Sequence, residues 1–258
     1  MNALRRVQAV VGWHACSYRR LWFGTVTVSF LNPVFFLVSI GVLLGALVDR
    51  SSPDLGGLTY LEFVAPALLA TTAMQTASSA TTYPVMAGLK WTRTYHAAVS
   101  TPVQVSELVA GVLAWAGLRV LVAASVFAVV AGVAGAFASP LAALAPLGAL
   151  LCGLAFAALL AGFTSTIENE QWLVAVFRFV LVPMFLFSGT FFPVEQLPDW
   201  LEPLAWATPL WHGVELCRDL ASGSIEALPT AAHVAYLVAL TLAGALVAVR
   251  SCGRRLGG

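Results

Sequence analysis

The amino-acid sequence predicts an all-α integral membrane protein that forms one domain of six transmembrane helices over residues 1–258. Its composition is the first reason, because 60% of the residues are hydrophobic and only 10% are charged, whereas about 25% are charged in a soluble domain. The mean hydropathy of +0.89 agrees with a bilayer environment. The other two reasons are six long apolar stretches and the distribution of basic residues between them.

Six stretches are long enough to span a bilayer, because a transmembrane helix requires about 20 apolar residues. They cover residues 25–48, 60–86, 105–137, 141–167, 172–192 and 229–249. These spans place most basic residues on one side, namely Arg5, Arg6, Arg19, Arg20, Lys90, Arg93, Arg250, Arg254 and Arg255, and leave Arg50 and Arg218 on the other. Cytoplasmic flanks are enriched in Lys and Arg, so both termini are predicted to be cytoplasmic, in a protein of the plasma (inner) membrane.

Residues 1–22 are predicted to form a cytoplasmic helix that lies in the membrane interface. Leu4, Val7, Val11 and Tyr18 share one helical face, and arginines stand at both ends of the segment. An apolar face flanked by basic residues suits a helix that rests at the headgroups. The alternative is that the segment extends the first span.

Several function classes lack the motifs that their chemistry requires. The sequence contains no G-x-x-x-x-G-K-[ST] loop for phosphate binding, and neither H-E-x-x-H nor G-x-S-x-G. The cysteines Cys16, Cys152, Cys217 and Cys252 have no C-x-x-C spacing, so no metal site is expected. The net charge of +1 indicates no nucleic-acid partner. The chain is therefore not expected to be an enzyme or to hold a cofactor.

Two arginines and a polar stripe lie within the predicted spans and form the candidate translocation pathway. Arg119 and Arg178 must face protein or water, since a charge at mid-bilayer costs about 3 kcal/mol. Arg178 could form an ion pair with Glu168 or Glu170, at the inner end of the fourth span, or it could contact a substrate. The polar stripe lies on the second span and consists of Thr71, Gln75, Ser78 and Thr82. Such a stripe either binds neighbouring helices or lines a passage.

The loop between the second and third spans, residues 86–104, carries a basic and aromatic patch. The patch consists of Lys90, Trp91, Arg93, Tyr95 and His96. Basic residues here could simply hold the loop in the cytoplasm. The alternative is a docking surface for a cytoplasmic protein, because aromatic residues and Arg are enriched at interfaces.

The segment after the fifth span is too interrupted to cross the membrane and too apolar for an ordinary loop. Residues 191–215 contain four prolines, four acidic residues and three tryptophans. The tryptophans suit headgroup depth, where indole rings are favoured.

These features together resemble the membrane subunit of ATP-binding-cassette exporters, the type-2 ABC permease family, and within it the NodJ-like permeases of lipo-oligosaccharide and drug export. The resemblance rests on "APALLATTAMQTA" and "YPVMAGLKWTRTYHAAVSTP" between residues 65 and 102, and on "FVLVPMFLFSGTFFPVEQLPDWLEPLAWATPLWHGVELCRDL" at residues 179–220. The latter is the more specific, with F-P-x-x-x-L-P followed by P-L-x-H-x-V-E-x-x-R.

The resemblance implies two membrane subunits driven by two copies of a cytoplasmic ATPase that binds ATP and magnesium. We predict a homodimer of this chain that exports an amphiphile, because the apolar spans favour a lipid, glycolipid or hydrophobic drug over an ion. The resemblance also places a coupling helix at about residues 88–100 and two short re-entrant helices on the outer side, within residues 193–226. The candidate outer gate then comprises Pro193, Pro198, Trp200, Pro209 and His212. The family's "E-R-x-x-G-T" stands here as "AGLKWTRTY", which leaves the docking contacts open.

Local chemistry agrees with two short helices in this segment. Pro198 and Asp199 suit the start of the first, although Pro203 could shorten it. Thr208 and Pro209 suit the cap and first residue of the second, and Gly223 suits its end. Helices of about 8–12 residues would be about 12–18 Å long, too short to span.

Two other function classes stay open. An ion-coupled carrier or channel would usually need a relay of acidic groups, and an intramembrane lipid-modifying enzyme would need a catalytic set. Dependence of transport on ATP distinguishes the first from the permease, and product analysis with the purified chain distinguishes the second.

Overall fold

The computed structural model describes residues 2–19 and 59–257, together with the isolated positions Phe35, Leu37 and Ser39. Within these residues all regular structure is helical, and no strand is present. Apart from those three positions, the predicted first span at residues 25–48 lies outside the described residues, as does Arg50.

The described helices follow one another with short connections. They are α1 (Ala3–Tyr18), α2 (Tyr60–Thr81), α3 (Tyr83–Met86), a π-helical turn (Ala87–Trp91), α4 (Thr94–Val99), α5 (Val105–Val133), a 3₁₀ turn (Pro140–Leu144), α6 (Ala145–Thr166), α7 (Gln171–Val176), a π-helical turn (Phe177–Leu181), α8 (Val182–Phe187), a 3₁₀ turn (Val194–Gln196), α9 (Glu202–Trp206), α10 (Pro209–Ser222) and α11 (Ala227–Leu256).

Three helices in the described part of the chain are long and apolar enough to cross a membrane. They cover Val105–Val133, Pro140–Thr166 and Ala227–Leu256, which match the predicted third, fourth and sixth spans. The predicted second span forms Tyr60–Thr81, and the fifth forms the shorter apolar helix Gln171–Phe187. The helical, apolar architecture agrees with a membrane protein, while the total of six spans stays a prediction.

Helix α6 lies at the centre of the fold and packs against α2, α5, α10 and α11. Small residues allow this close packing. A Cβ added at Gly244 of α11 would lie only 2.6 Å from the backbone of Ala158, and one added at Gly162 would lie 3.1 Å from the carbonyl oxygen of Gly244. Ala149 and Ala155 of α6 are also fully buried.

Two of the helix starts are defined by reciprocal side-chain and backbone hydrogen bonds. At α2, the Thr59 hydroxyl accepts from the Glu62 amide at 3.3 Å, and the Glu62 carboxylate accepts from the Thr59 amide at 2.8 Å. At α5, Gln104 and Glu107 form the same arrangement. These caps satisfy amides that have no partner inside a helix.

The N-terminal helix α1 packs along the start of α5. Arg6 forms an ion pair with Glu107 at 2.9 Å and donates to the carbonyl oxygen of Pro102 at 2.8 Å. Leu4 is exposed, Val7 and Val11 are half-buried, and Val10 is the buried residue of this helix. Val10 lies against Gly111, whose missing side chain allows the two helices to approach.

Candidate functional site

The candidate coupling residues lie in the loop at residues 86–104, here called the coupling loop. Lys90, Trp91 and Arg93 are exposed, and Trp91 retains 52% of its accessible surface. Lys90 donates from Nζ to the carbonyl oxygen of Glu168 at 2.7 Å, which joins the coupling loop to the connection between α6 and α7. Arg93 has φ of 51°, a left-handed backbone that a non-glycine residue adopts rarely. This backbone lies between the π-helical turn and α4.

Tyr95 and His96 point inward from the same loop. Tyr95 is only 2% exposed, and its ring covers Gly88 so closely that an added Cβ would lie 2.6 Å from it. Burial raises the pKa of the Tyr95 phenol, and Cys252 adds to this effect. Trp13 of α1 meets the ring edge-on at 6.3 Å. The structure therefore gives Tyr95 a packing position beneath the exposed residues, and His96 is half-buried.

The candidate pathway residues divide into a shared cleft and separate positions. A cleft of about 370 Å³ lies between α2 and the fifth-span helix, lined by Met74, Gln75, Ser78, Phe177, Arg178, Leu181, Val182 and Phe185. Gln75 and Arg178 are both exposed at this cleft. Arg119 is not part of it, because its guanidinium donates to the Ser79 hydroxyl at 3.5 Å and lies 5.2 Å from the centre of the Tyr18 ring.

The hydroxyl groups of the polar stripe bond within their own helix. Thr71, Ser78 and Thr82 are buried, and each donates to the carbonyl oxygen four residues earlier, at 3.0, 2.7 and 2.7 Å. Their donors therefore serve neither a neighbouring helix nor a passage. Gln75 is the member of the stripe whose side chain is exposed.

The interpretation of Glu168 and Glu170 as ion-pair partners of Arg178 is wrong. Across residues 2–19 and 59–257, the ion pairs are Arg6–Glu107 and Arg218–Glu215. A helix rises 1.5 Å per residue, so Arg178 lies roughly 12 Å along the helix from Glu170. The guanidinium instead lines the apolar cleft.

The segment that is predicted to lie on the outer side, residues 193–226, is here called the outer segment. It forms two helices, but the first is shorter than predicted. Helix α9 has five residues, Glu202–Trp206, and Pro203 stands in its first turn. Proline lacks an amide hydrogen and is tolerated there but not deeper in a helix, so the chain makes a turn at Pro198 and enters the helix late. Leu201 donates to the carbonyl oxygen of Pro198 at 2.8 Å in this turn.

The predicted ends of the second helix are confirmed. Thr208 caps α10, its hydroxyl accepting from the Trp211 amide at 3.2 Å, and Pro209 is the first helical residue. Gly223 ends the helix at φ of 79°. Among the other candidate gate residues, Trp200 is 75% exposed, Pro193 is half-buried and Pro198 is exposed. His212 lies on α10 and contacts His233 of α11.

Arg218 organises the outer segment and was not among the predicted site residues. Its guanidinium pairs with Glu215 at 2.7 Å, donates to the carbonyl oxygen of Gly189, and lies 3.9 Å from the centre of the Phe63 ring. These contacts tie α10 to the start of α2 and to the turn after the fifth span. The E-x-x-R pair inside the quoted motif is the sequence signal for this contact.

Comparisons with known proteins agree with this architecture. The family model described as ABC-2 type transporter matches residues 5–221. Nodulation protein J of Sinorhizobium fredii (strain NBRC 101917 / NGR234) is 34% identical over 187 residues, which are 72% of this chain and 70% of that protein. Nodulation protein J of Rhizobium meliloti (strain 1021) is 30% identical over 210 residues, 81% and 78% of the two chains. Nodulation protein J of Rhizobium leguminosarum bv. viciae is 30% identical over 226 residues, which are 87% of this chain and 85% of that protein.

The family model extends from α1 to the end of α10 and so includes the coupling loop, the cleft and both outer helices. ABC-2 permeases are membrane transport proteins that work with an ATP-binding subunit. The chain therefore belongs to the ABC-2 type transporter family of membrane permeases.

Proposed function

We propose that this protein is the permease subunit of an exporter that moves an amphiphile outward across the plasma membrane, driven by a separate cytoplasmic ATPase. The substrate class is a lipid, a glycolipid or a hydrophobic drug. The observation that carries the proposal is the coupling loop, where Lys90, Trp91 and Arg93 are exposed above the buried Tyr95. Exposed aromatic and Arg side chains on a well-packed base have the character of an interface.

The packing of the coupling loop provides a path for movement into the membrane helices. Tyr95 belongs to a buried cluster with Leu108 and Val112 of α5 and Cys252 of α11. Trp13 of α1 contacts the same ring. Because closely packed side chains transmit displacement, a push on the coupling loop from the ATPase would shift α1, α5 and α11 together.

The remaining architecture follows from the same proposal. Six spans place both termini in the cytoplasm, and two copies of this chain with two ATPases form the complete exporter. Helices α9 and α10 enter and leave the outer leaflet, since 5 and 14 residues correspond to about 8 and 21 Å, less than the roughly 30 Å of hydrocarbon. In this arrangement the outer segment covers the outer end of the passage.

The cleft between Gln75 and Arg178 is where the substrate would pass. Its lining is mostly apolar, with one amide and one guanidinium at the surface. An amphiphile combines an apolar body with a polar or anionic group, and this lining offers a contact for each. An exposed arginine within an apolar span is also a marker of a substrate route.

Reconstitution tests the proposal. The chain is placed in proteoliposomes with the ATP-binding subunit that co-purifies with it, and export of a fluorescent phospholipid is followed. Export that requires ATP, and that stops when the ATPase's phosphate-loop lysine is replaced, supports the permease. Transport by the chain alone on an ion gradient would favour the carrier, and a chemically altered lipid would favour the enzyme.

The covering role of the outer segment needs a separate measurement. Single cysteines from residue 194 to residue 220, in a chain without its four native cysteines, are labelled from outside with a membrane-impermeant reagent. A re-entrant pair predicts protected positions near residues 204–210 flanked by reactive ones. Uniform labelling from residue 194 to residue 220 would show that the segment is a surface loop and does not enter the membrane.

A further inference from the structure

A pair of histidines joins the outer segment to the last helix. His212 of α10 and His233 of α11 are 21 residues apart in the chain, and their Nδ1 atoms lie 2.7 Å from each other. This distance is that of a hydrogen bond. Since a ring nitrogen that accepts must carry no hydrogen, one of the two Nδ1 atoms is protonated and the other is not.

Aromatic rings enclose the pair. The His212 ring stacks on Tyr236 with 3.9 Å between the ring centres, and Trp211 meets both imidazoles edge-on at 4.9 and 5.1 Å. His233 is buried, with 8% of its surface exposed. Tyr236 also donates to the carbonyl oxygen of Ala207 at 2.6 Å, which holds the connection between α9 and α10.

No described acid compensates a positive charge on this pair. The helices that pack against α10 or α11 are α2, α4, α5, α6 and α9. The other titratable or charged groups on these helices and on α10 and α11 are Glu202 of α9, Glu215, Cys217, Arg218 and Asp219 of α10, Tyr236, Arg250, Cys252, Arg254 and Arg255 of α11, Cys152 of α6, Glu107 and Arg119 of α5, Tyr95 and His96 of α4, and Tyr60 and Glu62 of α2, with Glu226 preceding α11. Within residues 2–19 and 59–257, neither imidazole forms an ion pair. Glu215 pairs with Arg218, and Asp219 accepts from Thr230 at 2.7 Å.

We propose that His212 and His233 form an acid-sensitive latch that holds α10 against α11 at neutral pH and releases it when both rings are protonated. Two imidazolium rings would direct two Nδ1 hydrogens at each other across 2.7 Å, without an acceptor between them. The rings must then separate, and this hydrogen bond between the two helices is lost. One consequence, that this release opens the outer end of the passage, rests on the proposed function. The latch itself does not.

The direction of the pH effect follows from burial. Desolvation, together with the neighbouring His233, lowers the pKa of His212 to about 4, while an unperturbed histidine has a pKa of about 6.5. Between these values the unfolded chain takes up a proton that the folded chain does not. Stability is therefore retained above about pH 6.5 and falls as the pH drops toward 4.

Thermal unfolding of the purified chain in nanodiscs tests the latch without any transport partner. Between about pH 7.5 and pH 5, the wild-type unfolding temperature should fall by about 3–6 °C. His212→Gln and His233→Gln should each remove the share of this fall that the pair contributes, while the share of His14, whose pKa burial also lowers to about 4, should remain. The double variant should remove no more than either alone. Tyr236→Phe is the matched control, because it keeps the ring stack and should keep the acid-dependent fall.

Nitrogen-15 NMR of histidine-labelled protein provides an independent readout. At neutral pH one signal should show an Nδ1–H hydrogen-bonded to nitrogen, and either Gln variant should abolish it. A wild-type unfolding temperature that is the same at both pH values, or Gln variants that retain the full fall, would overturn the latch. Failure of ATP-driven export would instead affect the proposed function and leave these results standing.

Discussion

The coupling loop and the outer segment each contain at least one proline and one exposed tryptophan between apolar helices, yet they are held in different ways. The coupling loop rests on apolar packing, with Tyr95 buried over Gly88 and charged side chains left exposed. The outer segment combines apolar packing, with Leu210 and Val214 fully buried, with directional polar contacts, namely the Arg218 network, the Ser188–Thr208 hydrogen bond at 3.0 Å and the histidine pair. A charged surface on an apolar base suits the coupling loop, which would bind a partner protein. Directional hydrogen bonds suit the outer segment, which would need a single defined geometry when it covers the passage.

Replacement of Arg218 should have the largest effect on this comparison. Arg218→Ala leaves Glu215 and the carbonyl oxygen of Gly189 without their partner and removes the contact with Phe63. Breaking a partly buried ion pair costs about 3 kcal/mol, measured as the free energy of unfolding in detergent or nanodiscs. Arg254→Ala, at an exposed position, is the control and should change stability by less than about 0.5 kcal/mol. Equal stability of the two variants would show that polar contacts do not hold the outer segment.

Replacement of Trp91 should affect binding without affecting the fold. Trp91→Ala removes an exposed ring from the coupling loop and should weaken association with the ATPase by about 2 kcal/mol, a roughly 30-fold higher Kd. Arg93→Glu should act in the same direction. Trp200→Ala, an exposed tryptophan of the outer segment, should leave the Kd unchanged. If both tryptophan variants bind the ATPase normally, the coupling loop is not its docking surface, and its basic residues only set the membrane orientation.

Replacement of Gln75 sharpens the distinction between the cleft and the buried stripe. Gln75→Leu removes an exposed amide that lines the cleft, so export per folded molecule should change while stability shifts by less than about 0.5 kcal/mol. Thr71→Val is the matched control, because the Thr71 hydroxyl bonds only within its helix. A lower unfolding temperature with unchanged export would make Gln75 a structural residue.

The smallest effect is expected for the Tyr95 hydroxyl. Its oxygen is buried without a hydrogen-bond partner, and removal of an unsatisfied polar group is neutral or stabilising. Tyr95→Phe should therefore leave stability and ATPase binding within about 0.5 kcal/mol of the wild type. Tyr95→Ala, in contrast, leaves a cavity over Gly88 and should lower the free energy of unfolding by about 3 kcal/mol. A marked loss of ATPase binding in Tyr95→Phe would mean that the hydroxyl contacts the partner.

The sequence by itself determined the features that depend on neighbouring residues. Composition and long apolar stretches predicted a helical membrane protein, because backbone groups in lipid must be satisfied within each helix. Thr208, Pro209 and Gly223 predicted both ends of α10, since caps depend on the chemistry of one or two residues. The motif around residues 179–220 indicated the family, which the comparisons established.

Only the tertiary structure decided which side of each element is buried and which distant groups meet. Tyr95 and Trp91 belong to one patch in the sequence, yet one is 2% and the other 52% exposed, because α1, α5 and α11 cover only the first. The approach of His212 to His233, and of Arg218 to Gly189, joins elements 21 and 29 residues apart. Such contacts depend on how α10 packs against α2, α6 and α11, and small residues at those crossings set the separation of the helices. Periodicity within a single helix carries no information about that separation.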